Sequence, residues 1–135
     1  MITYTIENNL GPEDFKKILV SSTLAERRPV NDDEKISKMV SAANLIITAR
    51  VDGELIGLAR SLSDFAFCTY LSDLAVDKRY QHKGIGKELI KQTKKAAPQA
   101  VLILLAAPKA VEYYPKIGMR RHEHCFFITD INEID

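Results

Sequence analysis

Residues 67–106 change their hydrophobic period twice, and that double change constrains the fold more than any other feature of the chain. Residues 67–76, FCTYLSDLAV, read as a strand. Between 85 and 97 the apolar residues Ile85, Leu89, Ile90 and Ala97 recur at helical spacing, with Lys87, Lys91, Lys94 and Lys95 on other faces. Pro98 ends that pattern. Val101, Leu102, Ile103, Leu104, Leu105 and Ala106 then form an unbroken apolar run, which reads as a strand buried on both faces, as parallel pairing requires. A strand, a helix and a second strand in this order make a crossover unit: two parallel strands joined right-handed.

The chain before this unit predicts a different kind of sheet. Residues 2–7 read as a first strand. Gly11, Pro12, Glu13 and Asp14 open a helix with Phe15, Ile18, Leu19 and Ser22 on one face, and Arg27, Arg28 and Pro29 break it. Asn31 to Glu34 supply an N-cap and an acidic first turn for a second helix, built on Ile36, Met39, Val40 and Ala43. Residues 45–51 and 54–62 are strands joined by the tight turn at Asp52 and Gly53, and Ser63, Asp64 and Phe65 connect to the next strand. Short connections imply antiparallel pairing. Downstream, Pro108 is placed to open a last helix through about Ile117, capped by Gly118, with a closing strand near residues 122–129. The predicted class is α/β: a mixed sheet in which an antiparallel meander precedes a parallel β-α-β unit, with four helices, all in one domain over residues 1–135.

Composition narrows the partners. Apolar residues make up 46% of the chain, enough for a packed core, and the formal net charge of +1 gives no reason to expect nucleic acid or a membrane surface as a main partner. No apolar run approaches the ~20 residues of a membrane span. The first residues lack the basic start and apolar middle of a secretory signal, so a cytoplasmic location is expected. Cys68 and Cys125 read as small buried hydrophobes, and with His82, His122 and His124 they make no metal-binding spacing; no metal site is expected.

The most informative short segment is residues 81–87, QHKGIGK, between a strand's end and a helix start. The first N–H groups of a helix have no internal partner and carry the positive end of its dipole. Gly84 and Gly86 let an anion approach those groups, and Lys83 and Lys87 add positive charge, so the loop reads as a cradle for a diphosphate. A glycine turn that merely starts a helix is the plainer alternative. A Walker A loop is excluded by the missing G-K-[ST], and a dinucleotide fingerprint by Leu89 where a third glycine belongs.

The segment QHKGIG, following DLAV and preceding an amphipathic helix, resembles the Q/R-x-x-G-x-G/A motif of the GCN5-related N-acetyltransferases, the GNAT superfamily. Residues 110–119, AVEYYPKIGM, look like a second segment of that family, A-x-x-[FY]-Y-x-[KR]-x-G-[FM], and the predicted element order matches along nearly the whole chain. The resemblance implies acetyl-CoA as co-substrate and direct attack of a primary amine on its thioester. It implies that Leu74, Ala75 and Val76 lie along the pantetheine arm, that the amides of Gln81, His82, Lys83, Gly84, Ile85, Gly86 and Lys87 bind the diphosphate, and that the thioester sits in a gap where two parallel strands splay apart. Tyr114 matches the family tyrosine near the CoA sulfur and is the candidate general acid for the leaving thiolate; Tyr113 falls at a packing position.

A lysine-like amine is neutral only about once in 2,500 molecules at pH 7, so a proton acceptor is needed. Asp73, an acid among Leu71, Leu74 and Val76, is the candidate base, with a structural hydrogen-bonding role as the open alternative. By the same resemblance, Arg27 and Arg28 fall in the acceptor loop, where they would bind an acidic group of the substrate unless they are simply solvated, and Arg60 and Ser61 are placed to face the cleft. Pro115 departs from the family pattern and is expected to kink the last helix at Tyr114. The acceptor is a small-molecule amine or a protein amine. Homodimerisation is a family habit that carries over as an expectation. A non-catalytic acyl-CoA-binding regulatory module, or a generic nucleotide-phosphate site, are the rival readings.

Overall fold

The computed structural model describes all 135 residues, and they divide into two compact units, Met1–Leu105 and Ala106–Asp135. The first holds a five-stranded sheet: β1 (Ile2–Ile6), β2 (Leu45–Val51), β3 (Glu54–Ser63), β4 (Cys68–Val76) and β5 (Val101–Ile103), in that spatial order. The pairs β1–β2, β2–β3 and β3–β4 are antiparallel, and β4–β5 is parallel. Helices α1 (Pro12–Ser21) and α2 (Asp33–Ala42) precede β2, and α3 (Ile85–Ala96) crosses from β4 to β5. The sheet is therefore the predicted meander followed by a parallel crossover.

Local chemistry accounts for the boundaries. Asp52 and Gly53 both take positive φ, 50° and 83°, the backbone that a two-residue hairpin needs to match strand twist. Pro12 occupies the first turn of α1, where a missing N–H costs nothing. The Asp32 carboxylate accepts the Lys35 N–H at 3.1 Å and caps α2.

Each face of the sheet buries its own cluster. Phe15, Ile18 and Leu19 of α1 and Ile36 and Val40 of α2 pack with Ile46, Leu58 and Ala75. On the other face Ile85 and Leu89 of α3 pack with Ile47, Ala49, Ala59 and Leu71. Gly57 sets how closely α3 sits: a Cβ there would lie 3.2 Å from Leu89 Cδ1 and 3.3 Å from both Ala49 Cβ and Ile85 Cγ2. Because Ile85 is the first residue of α3, this contact also fixes where the helix begins.

Two features of β4 shape the region around the glycine loop. Its ladder to β3 passes from Leu71 opposite Ser61 to Asp73 opposite Arg60, so Ser72 is an extra, bulged residue. Its ladder to β5 ends at Tyr70 opposite Ile103, so from Leu71 to Val76 the β5-facing edge of β4 has no strand partner. This is the splay that the family resemblance implied.

Three expectations need correction. The run from 101 to 106 is not buried on both faces: only Val101–Ile103 form β5, and Val101, Ile103 and Leu105 are exposed, because β5 is the last strand and separates from β4 after three residues. Cys68 and Cys125 are exposed, not buried; Cys68 opens β4 with its Sγ 3.8 Å from Asp64 Oδ2. No closing strand forms at 122–129. That segment pairs with no strand, and the His122 ring accepts the His124 N–H at 3.0 Å, which turns the chain locally.

In the second unit, the predicted helix over 108–117 is divided. Pro108–Ala110 form a 3-10 turn and α4 is only Tyr113–Lys116. Pro115 has no N–H to donate back to the preceding turn, so a continuous helix through Val111 and Glu112 loses its support. Gly118, at φ 99°, ends α4, with the Met119 N–H donating to Tyr114 O at 3.1 Å.

Candidate active site

The end of β4 leads directly into the glycine loop. Asp77 accepts the Arg79 N–H at 2.8 Å and starts a 3-10 turn over Lys78–Tyr80. The hydrogen bond from Arg79 holds the Asp77 carboxyl below its ordinary pKa, against the opposing effect of burial. The Gln81 side chain turns inward: its Nε2 donates to Val76 O at 2.8 Å and to Ser22 O at 3.3 Å. So Gln81 fastens the loop to the end of β4 and to the end of α1, and its side chain is not aimed at a ligand.

His82 and Gly84 then take positive φ, 65° and 82°. These two left-handed residues swing the chain into α3, whose ladder begins with the Glu88 N–H donating to Gly84 O at 3.1 Å. The N–H groups of Ile85, Gly86 and Lys87 precede that first bond and have no helical acceptor. A Cβ built on Gly84 would meet nothing within 4 Å, so open space lies over the helix start. Lys83, with Nζ 5.4 Å from the Tyr80 ring centre, and the exposed Lys87 flank it. Free amides, a helix dipole and two cations beside open space suit a diphosphate.

Leu74, Ala75 and Val76 lie on the stretch of β4 with no β5 partner. Ala75 is buried toward α1 and α2, and Leu74 and Val76 are half-buried toward α3. Side chains there are held by the core while main-chain groups on one edge stay free for an extended ligand arm.

Asp73 is wholly buried on the α1/α2 side. Its Oδ1 accepts Arg28 Nε at 2.5 Å and its Oδ2 accepts Arg60 Nε. Arg60 Nη1 donates to Met39 O at 3.0 Å and Nη2 to Ser72 Oγ at 3.0 Å, while Arg28 Nη2 donates to Ser72 O at 2.8 Å. Both carboxylate oxygens are committed to guanidinium groups and no surface is open to a substrate amine. The arrangement makes Asp73 an anchor, which corrects its reading as the base. Arg28 belongs to the same network and Arg60 does not face an open cleft; Arg27 is exposed.

Sequence reasoning missed this network, yet a signal existed. An arginine at 60, inside the apolar run from Leu55 to Leu62, needs a buried carboxylate, and Asp73 is the acid in the next strand. The bulged Ser72 left no such trace.

Tyr114 lies on α4, in the second unit. Burial pushes its phenol above the ordinary pKa, and the neighbouring Tyr113, in edge-to-face contact at 5.2 Å between ring centres, adds to that. A raised pKa keeps the phenol protonated, as a proton donor must be.

Comparison with known proteins fits this geometry. The sequence model of the acetyltransferase (GNAT) domain matches residues 7–131. The chain belongs to the GNAT family. A curated relative, GCN5-related N-acetyltransferase 2, chloroplastic, of Arabidopsis thaliana, is 37% identical over 68 residues, covering 48% of this chain and 26% of that protein. The chain thus spans about a quarter of that relative's length. Among solved structures, a GNAT-family acetyltransferase of Streptococcus pneumoniae superposes with a TM-score of 0.78 at 23% identity, covering 98% of each chain. The aminoglycoside acetyltransferase AAC(6')-Iy, solved with the bisubstrate analogue CoA-S-monomethyl-acetylneamine, superposes with a TM-score of 0.73 at 14% identity, over 96% of this GNAT chain and 98% of that one. At these identities the two superpositions establish the shared fold.

Proposed function

We propose that this GNAT domain transfers an acetyl group from acetyl-CoA to a primary amine by direct attack of the amine on the thioester. The observation that carries the proposal is the free helix start at Ile85, Gly86 and Lys87, placed at the end of the unpaired stretch of β4. One surface thereby offers amides for a diphosphate and an open strand edge for the arm that follows it. The AAC(6')-Iy structure, whose ligand is a CoA-based bisubstrate analogue, supports the same use of the fold.

In this proposal the loop binds and the strand orients. Tyr114 matches the family's general acid by sequence resemblance, and its raised pKa keeps the phenol protonated, as that role needs. The amine's proton leaves through water, because Asp73 is committed to its arginines. Thermal shift with acetyl-CoA, followed by mass spectrometry of products from a panel of polyamines, aminoglycosides and lysine peptides, tests it. Neither stabilisation nor product would end it.

A second reading has one observation in its favour. With Asp73 engaged, the first unit presents no free carboxylate at the bulge, as expected for an acyl-CoA-binding module that transfers nothing. That reading requires tight CoA binding, no product from any amine, and indifference to Tyr114→Phe.

A further inference from the structure

Three side chains that the acyl-transfer proposal does not use meet at the bulge of β4. Asp73, Arg60 and Arg28 come from β4, β3 and the segment after α1. The two arginines grip Asp73, and they also bind the bulged Ser72: Arg28 donates to its carbonyl and Arg60 to its hydroxyl. A bulged residue is left without a ladder partner, so something else must hold it.

The same segment is fastened a second time. Gln81 of the glycine loop donates to Ser22 O, at the start of residues 22–28, while Arg28 closes the far end. Between those two pins the chain makes a left-handed turn at Thr23, φ 73°, and a 3-10 turn over Leu24–Arg27. Residues 22–28 are therefore a strap tied to the glycine loop at one end and to the Ser72 bulge at the other. The two places it ties are the two ends of the β4 stretch that has no β5 partner.

We propose that Arg28, Arg60 and Asp73 are positioning residues, which hold the Ser72 bulge and the 22–28 strap in the geometry that acetyl transfer requires. The proposal rests on the acetyltransferase reading above. The three side chains touch neither the thioester nor the amine. They act through the main chain of β4, whose placement decides how the acyl carbon meets the acceptor. Diphosphate binding depends on the glycine loop and is expected to survive their loss.

The test uses the full chain and two readouts. Hydrogen exchange without ligand reads the pinning directly: Arg28→Met is expected to raise exchange at least tenfold in both 22–28 and 71–76, and to leave β2 unchanged. Exchange unchanged in either segment overturns the proposal. Kinetics with an amine that the wild type acetylates reads positioning. Arg28→Met and Ser72→Ala are expected to keep the acetyl-CoA dissociation constant within about threefold and to lower kcat at least tenfold, with Arg28→Lys recovering part of the loss. A kcat within twofold of wild type in Arg28→Met overturns it, as does equal loss in affinity and kcat, the mark of a merely structural lesion. Asp73→Asn is expected to keep the shape of the pH–rate profile; loss of its ascending limb would make Asp73 a base. Should Asp73→Asn fail to fold, Arg28→Met and Ser72→Ala still decide, since both leave the Asp73–Arg60 pair intact. Were the wild type to bind no acetyl-CoA and acetylate no amine, the acetyltransferase reading would fall, and the exchange experiment would still uphold or overturn the pinning.

Discussion

Gly84 has a backbone that other residues avoid, and open space where a side chain would go. Gly84→Ala therefore meets no clash but must hold φ near 82°, which costs an L-residue roughly 1–2 kcal/mol. Urea denaturation should show a loss of that size, and calorimetric titration with CoA should show weaker binding, because a relaxed loop turns the helix-start amides away. Tyr114→Phe makes the complementary prediction: CoA affinity unchanged, kcat down by about 10²-fold, the usual worth of a positioned proton donor. The Tyr114 pKa lies above its ordinary value, so the neutral phenol persists to high pH and is lost only as pH rises through the raised value. The tyrosine-dependent part of the wild-type rate should accordingly persist to high pH and fall only as pH rises through that raised value. At this scale the sequence was informative wherever a residue's conformation or burial was at issue. The oddity of an acid at 73 was visible. Its cause was not, because Arg28 lies 45 positions away in the chain and only the folded sheet brings it near.

Among elements, those whose periodicity is internal were legible, and those that depend on a distant partner were not. Residues 45–51 form β2 as predicted, since the turn at Asp52 and Gly53 fixes its register with β3. Residues 122–129 were predicted as a closing strand but pair with no strand, and the helical spacing of 108–117 is outweighed by the donor that Pro115 lacks. The β3–β4 turn shows how locally an element can be stabilised. The Asp64 carboxylate accepts the N–H groups of Ala66, Phe67 and Cys68, led by Phe67, and these lower its pKa to about 2. The folded value lies below the unfolded one, so this stabilisation is complete above about pH 4 and disappears as pH falls toward 2. Glu7, lowered chiefly by its hydrogen bond from Arg50, acts in the same direction. Thermal melts from pH 6 to 2 should fall steeply below pH 4, and Asp64→Asn should lower the melt at neutral pH and flatten that slope, so that the two chains converge toward pH 2. Gly57→Val probes the crossover itself. Its added methyls press on Ile85 and Leu89, both buried, and overpacking of this kind costs ~1–3 kcal/mol. Because Ile85 begins α3, CoA affinity should drop along with stability; a variant as stable as wild type with full affinity would show that α3 is not fixed there.

For the whole molecule, the order of elements was readable because the hydrophobic period switches from two to helical and back, and the GNAT match over residues 7–131 reaches into both compact units. The question left at this scale is whether the helix start serves CoA in particular or any diphosphate. Linkage separates the two. A ligand that binds only the folded chain stabilises it by about 2.7 kcal/mol at a hundredfold excess over its dissociation constant, which for a domain of this size raises Tm by roughly 10 °C. CoA engages both the loop and the free edge of β4, whereas ATP offers phosphates and no extended arm. CoA should therefore give that rise at a concentration where ATP gives little, and Gly84→Val, which obstructs the loop, should abolish it. Equal shifts from CoA and ATP would reduce the site to a phosphate cradle, and the unpaired edge of β4 would then have no part in recognition.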